Sequence, residues 1–406
     1  MSESNAQPAI REVFPVLALL WLAGLYLRIP VLVAPPLAPF IADDLSLSQA
    51  LTGALTTVPV LMLAVGAMPG SLAISRIGAR STLALALMVV VAGSSLRGLA
   101  PDTVTLLAAS AVMGLGIAVM QPALPALLTV WLKPVHLALG TSVYMNGMLM
   151  GEFIGAGVTL PVLMPLTGES WRLTLAAWSL PGLLVAGLLF LPRSRRRTRA
   201  ARPAWVPDWR NPLTWKLGLL LGASSALFFG TNAYMSSILE QRDALETLDR
   251  ALFWFNLAQV IASLVMLKTS RYWVGRRSLI VVMLALAAAT LGLFLVTTGV
   301  PSIAFAFLMS LTSAFLLILL VALPPLVSHA EDTGRLAAGN FTIGYTLAFV
   351  IPMLGGLIAD RTGNPNHALV TLIVYALLVL PLALTLDLRK RPTQPADRDG
   401  YRLETK

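Results

Sequence analysis

Runs of about twenty apolar residues, broken by short clusters of charge, Pro and Gly, recur along almost the whole chain. A run of that length crosses the hydrocarbon core of a bilayer as a single helix. The pattern predicts twelve spans, over residues 13–40, 50–74, 81–99, 103–130, 137–164, 171–191, 213–239, 249–269, 278–298, 301–328, 337–359 and 367–387. The first run, Val13 to Phe40, exceeds the length of a signal-peptide core and reads as a retained span.

The polar interruptions set the organisation. The longest, Arg193 to Arg210, contains Arg195-Arg196-Arg197 and falls between spans six and seven. It divides the chain into an N-terminal tail (1–12), a six-helix bundle (13–192), a linker (193–212), a second six-helix bundle (213–387) and a C-terminal tail (388–406). The bundles look like weak copies of each other at an offset of about 195–200 residues. Ser75-Arg76-Ile77-Gly78-Ala79-Arg80 after span two has a counterpart in Arg271 to Arg277 after span eight. Pro122 and Pro125 in span four match Pro324 and Pro325 in span ten, and Leu139-Gly140 opens span five as Ala338-Gly339 opens span eleven. The expected fold is an all-α membrane protein of twelve transmembrane helices in two six-helix pseudo-repeats, related by an axis along the membrane normal.

Composition agrees with lipid as the solvent. Apolar residues make up 57% and charged residues 12%, against roughly 45–50% and 25% in soluble domains. The net charge of +10 is not a nucleic-acid footprint once it is located. Of the 29 Lys and Arg, Arg28 lies inside a span and Arg97, Arg172, Arg242, Arg250 and Arg361 lie on one side of the membrane; all the others share the side of the termini. The positive-inside rule then puts both termini in the cytoplasm of a bacterial-type inner membrane, with lipid as the partner of the basic loops. There is no Cys, and His136, His329 and His367 are scattered at helix ends, so neither a metal nor a cofactor is expected.

Arg28 carries the most information. It lies about fifteen positions into span one, roughly 22 Å along the axis and near mid-bilayer. A central Arg costs about 2.5–3.5 kcal/mol even on lenient scales and does not lose its proton. It is either a fork of donors for an anionic or strongly polar substrate, or one half of a fixed ion pair. Glu152, the one acidic residue deep in a span, sits at the matching depth in span five. It reads as a proton carrier, as a counter-charge that substrate displaces, or as a permanent structural bridge. Tyr26, Gln121, Tyr144, Asn146, Asn232, Tyr234, Asn256, Gln259, Asn340 and Tyr345 add polar groups within the spans. Hydrogen bonds between helices would satisfy them singly; as a set they point to a polar cavity between the bundles, with Gln121, beside an expected break at Pro122, foremost. Gly147, Gly151 and Gly155 repeat at the four-residue spacing of close helix contact, and Pro30, Pro35, Pro36 and Pro39 predict a kinked or broken outer half of span one.

The segment after span two, Gly70 and then Ser75-Arg76-Ile77-Gly78-Ala79-Arg80, resembles the signature of major facilitator transporters, with Ser75 in place of the usual Asp. That resemblance gives Gly70, Arg76, Gly78 and Arg80 a role in gating. Leu25-Tyr26-Leu27-Arg28, Leu96-Arg97-Gly98-Leu99-Ala100-Pro101 and Gly114-Leu115-Gly116-Ile117-Ala118-Val119-Met120-Gln121-Pro122 are similar to the cyanate porter family, which includes cyanate transporters and 2-nitroimidazole exporters. That family has Asn where Tyr26 stands, Pro directly after the Arg where Ile29 stands, and a small residue at Glu152. The resemblance implies a secondary transporter, not an enzyme. A buried Arg28 suits alternating access to a small anion, weak organic acid or polar heterocycle, with protons carried on Glu152 as candidate coupling ions and the chain expected to act as a monomer. No G-x-x-x-x-G-K-[ST] loop suggests ATP as driver, and no H-E-x-x-H motif or Cys supports a membrane-embedded enzyme. The remaining alternative is a drug or metabolite exporter of the same fold.

Overall fold

A computed structural model describes residues 10–132, 136–190, 207–328 and 330–388. The tail residues 1–9 and 389–406, His329 and Arg195-Arg196-Arg197 of the linker lie outside them. The described residues are almost wholly helical, with eleven helices long and apolar enough to span a membrane and one bent pair, Leu139–Gly157 with Thr159–Leu166, that makes a twelfth. Each falls where the hydrophobic runs predict it.

Helix starts follow local chemistry. Ser48 caps span two (Gln49–Ile77), Asp102 span four (Thr103–Trp131), Ser170 the first part of span six (Trp171–Ala177), and Asn211 span seven (Pro212–Gln241). In each case a short polar side chain accepts from an amide that the helix itself leaves unpaired. Gly78 ends span two at φ +86°, a backbone region open to glycine.

The breaks follow proline in part. Span one divides into Ile10–Leu25, Ile29–Leu32 and Ala34–Leu45. Its main interruption falls at Tyr26-Leu27-Arg28, ahead of the prolines rather than among them. Pro30 cannot bond the Tyr26 carbonyl, and Pro30, Pro35 and Pro36 occupy first-turn positions that need no N–H. Span five (Leu137–Gly157) bends by 55° at Val158 into a π turn, Thr159–Leu163. Pro161 explains it, because its ring opposes the Gly157 carbonyl. The expected break at Pro122 is absent: span four runs unbroken from Thr103 to Trp131 through Pro122 and Pro125. Span six loses helical regularity at Trp178, between Trp171–Ala177 and Ser179–Phe190.

These breaks are bonded to one another. Tyr26 Oη donates to the Trp178 carbonyl (3.0 Å), Trp178 Nε1 to Thr159 Oγ1 (3.0 Å), and Thr159 Oγ1 to the Gly155 carbonyl (2.6 Å). Groups freed where three helices lose regularity thus satisfy each other away from water.

Span one lies on span five through the glycine row. A Cβ at Gly151 would stand 3.1 Å from Leu25 Cα and one at Gly155 3.0 Å from the Ile29 oxygen, so only glycine permits this approach. In the second half, spans eight (Leu248–Trp273), nine (Arg277–Val296), ten (Gly299–Val321 with Pro324–Val327), eleven (Ala330–Thr362) and twelve (Asn366–Leu384) pack with span seven. Between the halves, span two crosses span eleven, span five meets span eight, and span seven leans on spans one and two.

One residue is displaced from its expected setting. Arg97, counted from sequence among the charges on the far side from the termini, is fully buried at the end of span three (Ala79–Gly98). Its Nη1 donates to the Pro30 carbonyl at 2.6 Å and approaches Met113 Sδ at 3.3 Å, which fastens span three to the segment just beyond Arg28.

Candidate functional site

The interruption of span one leaves Arg28 outside regular helix, at the N-cap of Ile29–Leu32 with φ −133° and ψ −33°. From there its side chain reaches between the halves. Arg28 Nε donates to Glu152 Oε1 at 2.9 Å, and both side chains are 3% exposed. Its Nη2 stands 3.5 Å from Tyr345 Oη on span eleven, its Nη1 3.4 Å from the Leu27 carbonyl, and its Cζ 5.6 Å from the centre of the Phe229 ring. Arg28 thus touches spans five, seven and eleven at once.

A small cavity lies against the pair, lined by Arg28, Glu152, Ser224, Ser225, Phe228, Phe229, Gln259, Ser313, Leu317 and Tyr345. About 10 Å³ of it is open, the room one water molecule needs. Gln259 Nε2 donates to the carbonyl and hydroxyl of Ser310, both at 3.1 Å. Ser224 and Ser313 exchange hydroxyl-to-carbonyl bonds of 2.9 and 3.0 Å, which joins spans seven and ten. Phe228 packs on Phe229 and Phe255, and the Tyr345 ring stacks on Phe341. The lining is therefore one ion pair, a few hydroxyl and amide groups and an aromatic wall. Glu152 Oε2 is buried and has no hydrogen-bond partner among the described residues.

Of the residues singled out in sequence, Arg28, Glu152, Gln259 and Tyr345 come together here. The others serve elsewhere. Tyr26 joins the breaks, Asn146 accepts from Trp21 Nε1 at 3.0 Å, and Asn256 donates to Asn232 Oδ1 at 3.0 Å. Tyr234 donates to the Pro352 carbonyl at 2.8 Å. Tyr144 is half-buried, its carbonyl against Gly24. Asn340 is buried with its Oδ1 unbonded among the described residues. Gln121 is half-buried in span four and does not line this cavity. In the segment after span two, Gly70 fits against Val119 and Pro122 of span four, Arg80 Nε donates to the Leu189 carbonyl at 2.5 Å, and Arg76 is exposed. Sequence reasoning missed Ser224, Ser225, Phe228, Phe229, Ser313 and Leu317, residue types that any span contains.

Comparison with known proteins agrees with the fold. The family model described as Major Facilitator Superfamily matches residues 20–337. The chain is similar to the cyanate transport protein CynX of Escherichia coli (strain K12), with 25% identity over 377 residues, 90% of this chain and 96% of that one. It is also similar to the 2-nitroimidazole transporter of the same organism, with 28% identity over 362 residues, 87% and 90% of the two chains. Among solved structures, a bacterial homologue of the human lysosomal transporter Spinster superposes with a TM-score of 0.73 at 17% identity, over 94% of this chain and 97% of that one. The xylose transporter XylE from E. coli gives 0.72 at 12% identity, over 90% and 95%. With the structures the likeness is one of fold.

Proposed function

The chain belongs to the Major Facilitator Superfamily and is a multi-pass membrane transporter of small molecules, and on that premise we propose that it is a secondary active transporter working by alternating access at the Arg28–Glu152 pair. Its substrate is a small anion, a weak organic acid or a polar heterocycle. The membrane is a bacterial-type inner membrane, with both termini cytoplasmic and the protein acting as a monomer.

The observation that carries this reading is a buried cation held by residues of both halves, at a place where the halves must part if access is to alternate. The pair is electrically neutral, and Arg28 and Glu152 are the charged groups among the lining residues. An anion that takes Glu152's place on Arg28 leaves a second negative charge in a low-dielectric cavity, a state that is costly unless it is neutralised. A proton on Glu152 restores neutrality, so an anion and a proton occupy the site together. A neutral heterocycle with a donor and an acceptor side by side would instead bridge Glu152 Oε2 and the guanidinium, its ring against Phe228 and Phe229. The names of the two E. coli relatives, one for cyanate and one for a nitroimidazole, bracket these chemistries.

Export of drugs or metabolites is the second reading, and the aromatic wall is the feature in its favour. Growth inhibition by a compound panel, with and without the gene, separates the two.

The test is transport in proteoliposomes as a function of external pH. A substrate anion carried by the wild type with a steep pH dependence, and by Glu152→Gln with a flat one, fits proton coupling at Glu152. Full retention of the pH dependence in Glu152→Gln removes Glu152 from the coupling.

A further inference from the structure

On the face away from the termini, the first turn of span two is capped by a side chain from the opposite half. The Gln49 N–H donates to Asp360 Oδ1 at 2.5 Å and the Ala50 N–H to Asp360 Oδ2 at 3.1 Å. Asp360 stands near the end of span eleven. The next amide, of Leu51, is taken by Ser48 Oγ at 3.4 Å within the same half. Of the first three amides of this helix, therefore, its own half serves one and the other half serves two. The carboxylate also lies at the positive end of the helix dipole, and its bonds are charge-assisted.

The backbones interlock at the same point. A Cβ at Gly356, one turn back along span eleven, would stand 2.6 Å from Ala50 Cα, and one at Gly53, one turn on along span two, would collide with the Tyr234 hydroxyl of span seven. Among the described residues no cation pairs with Asp360, and its carboxylate is bonded to the two amides of span two.

We propose that Asp360 is the latch of this face: its carboxylate holds the start of span two while the face is closed and releases it each time the central site opens to that side. Parting spans two and eleven strips two amides and a carboxylate of their mutual bonds, which biases the molecule toward closure. Asp360 is exposed, so water replaces those bonds as they break and the latch remains reversible. The inference rests on the alternating-access reading above but not on the identity of the substrate or on the coupling ion.

The chain has no Cys, so spin labels can be placed at Asp43→Cys, near the far end of span one, and Glu246→Cys, between spans seven and eight, both exposed. Distances between them are read by double electron–electron resonance on the full-length protein in lipid nanodiscs. Asp360→Asn is expected to raise the ratio of open to closed distances by roughly threefold or more. Gln49→Pro tests the same contact from the other side. Ser48 is extended at φ −71° and ψ 163°, and proline suits the first helical position, so the substitution deletes the donor and keeps the helix. It should shift the distances in the same direction, and Asp360→Asn combined with Gln49→Pro should add little to either alone. Unchanged distances in both single variants, or shifts that add as independent effects, overturn the latch. Since no substrate enters the measurement, a failure of the proposed chemistry at Arg28 would leave its outcome untouched.

Discussion

At the scale of single residues, the Arg28–Glu152 pair is a cost that the fold carries. Breaking such a pair by removing one partner strands a buried charge, whereas replacing both by apolar groups of similar volume is close to neutral or stabilising. Glu152→Gln should therefore lower unfolding stability by about 3–5 kcal/mol, and Arg28→Met with Glu152→Leu should restore most of the loss while abolishing transport. Thermal unfolding of the purified proteins checks the first statement and substrate uptake the second; a double variant that still transports would make the pair structural. Both members were legible in the sequence, because an ionisable residue fifteen positions into an apolar run has few neutral explanations, and equal depths suggested a pair. Ser224, Ser313, Phe228 and Phe229 were not, since they look like ordinary span residues until a neighbouring helix turns them toward the cavity. Arg97 misled for the opposite reason: a charge at a helix end reads as one of the far-side charges, and only packing shows that the Pro30 carbonyl takes it inside.

At the scale of elements, the glycine row of span five sets the distance between Arg28 and Glu152. Gly151 lies one residue before Glu152 and directly against Leu25, three residues before Arg28. Gly151→Ala should force spans one and five apart and cost about 1–3 kcal/mol through overpacking, with reduced transport in the protein that remains folded. Unchanged melting and unchanged uptake would show that the helices yield freely and that the row sets nothing. The breaks were partly legible. Prolines forecast trouble in span one, and the fault fell one turn earlier, where Pro30 withholds its bond from Tyr26. The same rule applied to Pro161 would have found the bend at Val158. It fails at Pro122 and Pro125, where span four stays helical against span two at Gly66 and Gly70, because neighbouring helices can hold a proline-containing segment straight.

At the scale of the whole molecule, the twelve-span count was readable because lipid imposes a length on every span. The arrangement of the halves about Arg28 was not, since contacts between spans 200 residues or more apart leave no periodic trace. Orientation rests on the distribution of Lys and Arg. With both termini cytoplasmic, single cysteines at Glu169 and Glu246 on the far face should react with a membrane-impermeant maleimide in intact cells, while one at Arg76 should react only after permeabilisation. The reverse pattern would invert the topology.

The claim on which the rest depends is that Arg28 meets the substrate. It is tested most directly by ligand-induced thermal stabilisation of the purified protein across small anions, organic acids and nitro-heterocycles, with wild type beside the Arg28→Met, Glu152→Leu double variant. A compound that stabilises the wild type and leaves the double variant unmoved places the site at Arg28 and names the substrate class; equal stabilisation of both would contradict the account and leave the pair as a structural bridge.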